Sequence, residues 1–188
     1  MKAAELVKSR RSVHEWEPLG VSREMIAGLL DTAVYAPNHH LSQPWRFTVL
    51  TGESKDALAA ARGRAKAAGF KDPSSPEAAS AGERSRAEMA EAAAVVVFTC
   101  VEAADPVRAR EDLCATAAAA QNFCLAACGE GLGTFWTTGP LAGSPELRQI
   151  LQLAADEQLV AILLLGYPAS VPPLRRRKPA AELTRWLE

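Results

Sequence analysis

The period of apolar residues changes several times along the chain, and each change marks an element. Residues 3–9 and 22–36 carry helical spacing, with Ser22 as an N-cap and Pro37 beyond the second helix. Residues 45–51, Trp-Arg-Phe-Thr-Val-Leu-Thr, alternate in β-branched and aromatic side chains and predict a strand. Ala-rich, charge-dotted stretches at 54–68 and 81–92 predict exposed amphipathic helices, joined by a Pro- and Ser-rich linker at 70–80. Residues 93–101 form an unbroken apolar run of β-formers, hence a buried strand. Asp105-Pro106 supplies an N-cap and a first-turn proline for a helix that continues to about Cys128 and stops at Gly129 as its C-cap. A short strand at 134–137, a helix opened by Ser144-Pro145-Glu146, an apolar strand at 159–165 and a last helix after Pro179 complete the chain.

Helices and strands do not alternate strictly, which argues against a doubly wound sheet and for an α+β domain with a small sheet around the long helix. At 1.5 Å per residue that helix is about 34 Å long, about the diameter of a domain of this size. From 113 to 128 it is apolar or small on every face, with Thr116, Gln121 and Asn122 as the polar exceptions, and so it demands burial all round. Cys114, Cys124 and Cys128 share a narrow arc of this helix with Ala117 and Gln121, a face of small side chains suited to core packing.

Composition narrows the class. The 188 residues are 48% hydrophobic and 23% charged, with a net charge of −1, which fits one domain spanning 1–188. A chain this long buries roughly 70% of the surface its unfolded form exposes. The balanced charge lacks the footprint of a general nucleic-acid or polybasic membrane binder, and the apolar runs fall short of the ~20 residues of a spanning helix. The opening MKAAELVKSRR places Glu5 and two arginines where a signal peptide is apolar. The four cysteines do not resemble a secreted disulfide framework. The expectation is a cytoplasmic protein.

Five segments carry candidate chemistry. Arg10-Arg11-Ser12 closes the first helix; with an extended exit, Arg10 and the Ser12 hydroxyl share one side and suit an anion, while a helix-dipole role for the cations is the plain alternative. The loop 36–45, Ala-Pro-Asn-His-His-Leu-Ser-Gln-Pro-Trp, is closed by proline at both ends. Its adjacent His39 and His40, with only His14 elsewhere, make a poor metal site. Gly129-Glu-Gly-Leu-Gly133 follows a helix and precedes a strand, the reverse of a dinucleotide fingerprint. The cysteines lack a CxxC spacing or a neighbouring histidine. Arg175-Arg176-Arg177-Lys178 is a second basic cluster, before Pro179.

Taken together, Arg10-Arg11-Ser12, Ala36-Pro37 followed by Gln43-Pro44-Trp45, the glycine-rich end of the long helix with Phe135-Trp136, and Leu165-Gly166-Tyr167-Pro168 leading to the basic cluster resemble the FMN-dependent nitroreductase family. The resemblance runs along nearly the whole chain and is strongest to the short bacterial NAD(P)H nitroreductases. It implies a small, mainly antiparallel sheet surrounded by helices and an intertwined homodimer with FMN at the subunit interface. Arg10 and Ser12 would then bind the FMN phosphate, with Arg175 and Arg177 closing on it and Arg11 along the ribityl chain or ring edge. Asn38 and His39 would reach the flavin of the other subunit. Trp136, Thr137 and Thr138 would line the isoalloxazine, a backbone N–H near Thr138 or Gly139 would face flavin N5, and His14 would approach the pyrimidine edge. Much of the family has Ser and Asn in the loop before Gln-Pro-Trp; this chain has Asn38 and Leu41, with His39 in their place.

The implied activity is ping-pong transfer from NADH or NADPH through FMN to a nitroaromatic, quinone or similar small-molecule acceptor, with no nucleophilic or general acid–base residue and no metal. Competing readings are a flavin carrier or sensor without turnover, a flavin-cleaving or dehalogenating relative, and a helical dimeric scaffold without cofactor.

Overall fold

The computed structural model describes residues 2–139 and 141–187. Its elements, in chain order, are α1 (Ala3–Ser9), α2 (Arg23–Ala33), a 3-10 turn (His39–Leu41), β1 (Trp45–Leu50), α3 (Gly52–Ala68), α4 (Pro76–Ala90), β2 (Ala94–Val101), α5 (Pro106–Gly129), β3 (Gly133–Thr137), α6 (Pro145–Leu151), β4 (Glu157–Gly166) and a second 3-10 turn (Ala180–Leu183). The strands form one sheet of order β1-β2-β4-β3 with every pair antiparallel.

Period 2 along β2 and β4 explains their unbroken apolar sequence. Val96, Phe98, Leu163 and Leu165 pack with Ile26, Leu29, Phe123 and Ala119 of α2 and α5 on one face. Val95, Val97, Ile162 and Leu164 pack with Leu58, Met89 and Leu147 of α3, α4 and α6 on the other. Both faces are covered, so neither side of these strands can be polar. The sheet is therefore the middle of three layers rather than a wrap around the long helix. Phe98 meets Phe47 and Phe123 edge-on, at ring-centroid distances of 4.9 and 5.6 Å.

Capping chemistry sets several boundaries. Ser22, Ser75, Asp105 and Ser144 each accept a backbone N–H in the first turn of α2, α4, α5 and α6. The Ser75-Pro76-Glu77 start places α4 five residues earlier than the charge pattern does, which shortens the linker. α2 ends at Ala33 because Pro37 disfavours helical geometry in the residue before it. Gly129 is the last residue of α5 rather than its cap; the left-handed residue is Gly131, φ +78°, whose N–H returns to the Cys128 carbonyl.

α3 and α4 are not free solvated helices: they pack on one another and bury Leu58, Ala59, Ala61, Ala78 and Met89. The three α5 cysteines divide, with Cys124 buried, Cys128 half-buried and Cys114 exposed, so the small face is only partly core. One chain covers one side of α5; Leu113 on the other side is 37% exposed. No helix among the described residues is long and apolar enough to cross a membrane. After Pro179 the chain forms a four-residue 3-10 turn instead of a helix, and residues 173–187 are exposed throughout, Leu183, Trp186 and Leu187 among them.

Candidate functional site

The first part of the site is the exit of α1. The chain turns extended at Arg10, φ −56° and ψ 134°, and Ser12 bridges to Thr134 of β3, with the Val13 N–H donating to the Thr134 carbonyl. This is the geometry that sets Arg10 and Ser12 on one side. Arg10 is half-buried, its side chain has no hydrogen bond or ion pair among the described residues, and it lines a cavity of about 150 Å3 with Gly131, Leu132, Gly133 and Pro168. Arg11 is committed differently. Its Nη1 donates to the carbonyls of Lys8, Ser9 and Arg10 at 2.6, 2.8 and 3.0 Å, closing the end of α1, and its buried Nε has no partner. Cys124 lies under this exit; burial pushes its thiol up, against the pull of Thr134 and of the Arg10 charge.

Residues 36–44 form the second part. Asn38 accepts the Gln43 N–H on Oδ1 at 3.0 Å and donates through Nδ2 to the Ala36 carbonyl at 3.1 Å, which closes the loop. His40, Leu41 and Gln43 sit at φ 51°, 53° and 43°, a left-handed run that non-glycine side chains resist. Ser42 donates to the buried Asp112 at 2.6 Å and ties the strained turn to α5. His39 is fixed by its Nδ1 contact of 2.7 Å to Glu111 and stacks on His40 at 4.0 Å. A cavity of about 580 Å3 opens beside Asn38 and His39, with Arg110 and Cys114 across it. Asn38→Ala removes both clamps and is expected to lower stability by about 1–2 kcal/mol, with faster amide exchange at Gln43; denaturant unfolding and hydrogen exchange measure the two effects.

β3 supplies the third part. Trp136 is 37% exposed, Thr137 is half-buried, Thr138 is exposed, and Gly139 turns the chain at φ +52°. Near this exit His14 packs on Phe135 with ring centroids 4.2 Å apart and planes tilted by 51°, and meets Glu88 of α4 through Nδ1 at 2.8 Å. Glu88 also accepts Nη2 of the buried Arg62 at 2.6 Å, and Arg62 donates to the Ser85 carbonyl. Burial raises the Glu88 carboxyl, but the hydrogen bonds from His14 and Arg62 outweigh it and hold the group below its ordinary 4.5. A depressed carboxylate contributes stability above the unfolded value and loses it as pH falls through the folded one. Glu88→Gln is therefore expected to be less stable than wild type near neutrality, and to lose less on acidification below about 4.5; parallel urea unfolding curves at the two pH values check the sign.

The fourth part remains apart. The C-terminal segment leaves the body where Ala169 N–H bonds the Glu15 carbonyl and the Ser170 hydroxyl bonds the Glu15 carboxylate, with Val171 still at the Arg10 cavity. Arg175 and Arg177 are exposed and make no hydrogen bond or ion pair with a described residue. Within one chain, then, the exit of α1, the β3 exit and His14 come together; the 36–44 loop and the terminal arginines do not join them. Sequence reasoning missed Glu88, Glu111 and Asp112. Asp112 follows Arg108, Arg110 and Glu111 in the charged first turns of α5, and Glu88 lies on a face that reads as solvated, so residue type alone singles out neither.

The profile described as "Nitroreductase family" matches residues 7–167. The "Putative NAD(P)H nitroreductase YdjA" of Escherichia coli is 30% identical over 169 residues, 89% of each chain. The crystal structure of a nitroreductase-like family protein from Bacillus cereus superposes with a TM-score of 0.87 at 29% identity, covering 100% of this chain and 97% of that one. A nitroreductase with bound FMN from Desulfitobacterium hafniense shares the fold, with a TM-score of 0.76 at 20% identity over 98% and 97% of the two chains.

Proposed function

Because the chain belongs to the nitroreductase family, we propose that it binds FMN and, as an NAD(P)H-dependent oxidoreductase, reduces a nitroaromatic, quinone or similar acceptor by a ping-pong mechanism. The observation that carries this reading is Arg10: a half-buried arginine without a carboxylate partner on a small cavity lined by residues 131–133, two residues along an extended exit from the exposed Ser12. Charge-assisted donors around a small cavity are what a phosphate monoester requires. The relative from D. hafniense holds FMN, as its name states.

When bound, FMN supplies the redox chemistry, accepting hydride from the nicotinamide and passing reducing equivalents to the acceptor. The chain supplies position and charge. Arg10 and Ser12 hold the phosphate. Arg11, spent on the α1 carbonyls, fixes the turn that aims them, which moves it from contact with the ribityl chain to a positioning role. Trp136, Thr137 and Thr138 flank the ring, and the backbone N–H at Thr138 or Gly139 faces N5. His14, held through Nδ1 by Glu88, would lie at the pyrimidine edge of the ring. The protein contributes no nucleophile.

The homodimer completes the site. The open side of α5, the exposed arm after residue 172 and the apolar Leu174, Leu183, Trp186 and Leu187 on that arm are surfaces that a second copy covers. In that arrangement Asn38 holds the shape of the loop that carries His39 toward the flavin of the other subunit, and Arg175 and Arg177 reach the phosphate. Absorption spectra before and after anaerobic NADH or NADPH test the function: the flavin bands are expected and are expected to bleach. A colourless protein that acquires no flavin from added FMN overturns it. Sedimentation velocity tests the assembly, and a stable monomer overturns that part.

A further inference from the structure

A cavity of about 630 Å3 runs from His14 and Gly139 along α4 to the C-terminal half of α3. Its charges are sorted along its length. At the His14 end Glu88 is paired with His14 and Arg62, while Glu15 accepts from the Ser170 hydroxyl and keeps its charge, so the uncompensated acid lies at this end. Glu91, the remaining acid on the cavity, is at the C-cap of α4. The cations lie toward the opposite end. Arg84 donates Nη1 to the Ser80 hydroxyl at 2.6 Å, so its guanidinium points one turn back along α4, away from Glu91. Its other N–H groups have no partner among the described residues. The Lys66 ammonium of α3 has no hydrogen bond or ion pair among the described residues.

The helix register brings these two cations to the same end. α3 and α4 cross antiparallel where Gly63 faces Gly82, and Ala67 meets Gly82 on the α3 side. One turn further along α3, at Lys66, therefore corresponds to one turn back along α4, toward Ser80. From Glu88 to Arg84 is about 6 Å along the helix axis at 1.5 Å per residue, and the arginine side chain extends further. The distance suits a small aromatic ring whose reacting group lies at the His14 and Gly139 end and whose anionic group lies against Lys66 and Arg84.

We infer that this cavity is the acceptor site and that it selects acceptors bearing a carboxylate, held by Lys66 and Arg84 at the end remote from His14. The inference rests on the flavin reading above only for which end reacts; the anion site stands on the cations themselves. Two charge-assisted contacts of this kind, partly open to water, favour a carboxylate over its neutral amide.

The probes are 4-nitrobenzoate and 4-nitrobenzamide, which differ in charge at one substituent. Isothermal titration of the protein as purified is expected to give a dissociation constant about ten times lower for the acid than for the amide. In Lys66→Ala and Arg84→Ala the ratio is expected to fall toward one, and Lys66→Glu is expected to reverse it, with circular dichroism confirming that each variant is folded. Equal binding in the wild type, no binding of either probe, or a preference that survives in both alanine variants overturns the site. If the variants instead raise the KM for NADPH and leave that for NADH, while the acid-to-amide ratio persists, the cations serve the nucleotide phosphate and the assignment to the acceptor is overturned. Preferential binding of the acid in a protein that oxidises neither NADH nor NADPH would sink the oxidoreductase reading and leave the anion site in place.

Discussion

Arg10→Ala is expected to bind FMN about 10- to 150-fold more weakly than wild type, the equivalent of about 1.5–3 kcal/mol for one charge-assisted phosphate contact. The size of the effect follows from what Arg10 does not do. It has no ion pair within the described chain, so none of its charge is already neutralised and its removal leaves no protein carboxylate stranded. The cost is then the lost contact alone. Arg10→Lys keeps the charge and loses the planar fork, so its affinity is expected between the two. Quenching of flavin fluorescence on titration into flavin-free protein measures all three; an unchanged dissociation constant in Arg10→Ala overturns the phosphate assignment. A second readout is internal to the protein. Burial holds the Cys124 thiol up and the Arg10 charge opposes that, so Arg10→Ala is expected to make Cys124 still harder to ionise and slower toward a thiol reagent at alkaline pH. That shift is expected whether or not flavin is present, which separates loss of the charge from loss of the cofactor.

Arg10 was also the most legible part of the site, and the reason is local. A helix that ends at Ser9 followed by an extended residue fixes the relation of Arg10 to Ser12 within three positions, and no distant contact is needed. The same holds for α5, whose Asp105-Pro106 start and glycine-rich end are written in adjacent residues. β2 and β4 were legible as buried because two-sided burial leaves no polar alternation. What one sequence does not display is pairing across distance: Glu88 lies 74 positions from His14 and 26 from Arg62, and nothing in an Ala-rich charged helix distinguishes that glutamate from its solvated neighbours. Backbone strain is equally silent. His40, Leu41 and Gln43 adopt positive φ without being glycine, held there by Asn38 and by Ser42 on Asp112. A reading by residue type takes Asn38 as a ligand-facing amide, whereas the fold uses both ends of its side chain to brace the loop.

Gly82→Val is expected to destabilise the protein by about 3 kcal/mol, a drop in Tm of roughly 6–12 °C for a chain of this length. Two effects of opposite sign compete. Glycine in a helix interior costs about 1 kcal/mol relative to alanine, so any side chain at this position gains helix stability, although valine gains less. Against that, a Cβ on Gly82 would stand 2.8 Å from the Gly63 carbonyl oxygen and 3.2 Å from the Ala67 Cβ. A carbonyl within a helix cannot rotate aside as a long side chain can, so α3 and α4 must separate, and they bury Leu58, Ala59, Ala78 and Met89 between and beneath them. Loss of packing wins. The reciprocal contact, 2.9 Å from a Cβ on Gly63 to the Gly82 carbonyl, makes the argument testable beyond a single Tm. Gly63→Ala and Gly82→Ala each force the same separation, and once one has opened the helices the second meets little resistance. Their combined loss is therefore expected to be smaller than the sum of the two by about 1 kcal/mol. Additive losses in calorimetry or urea unfolding would mean that the two glycines do not share one contact.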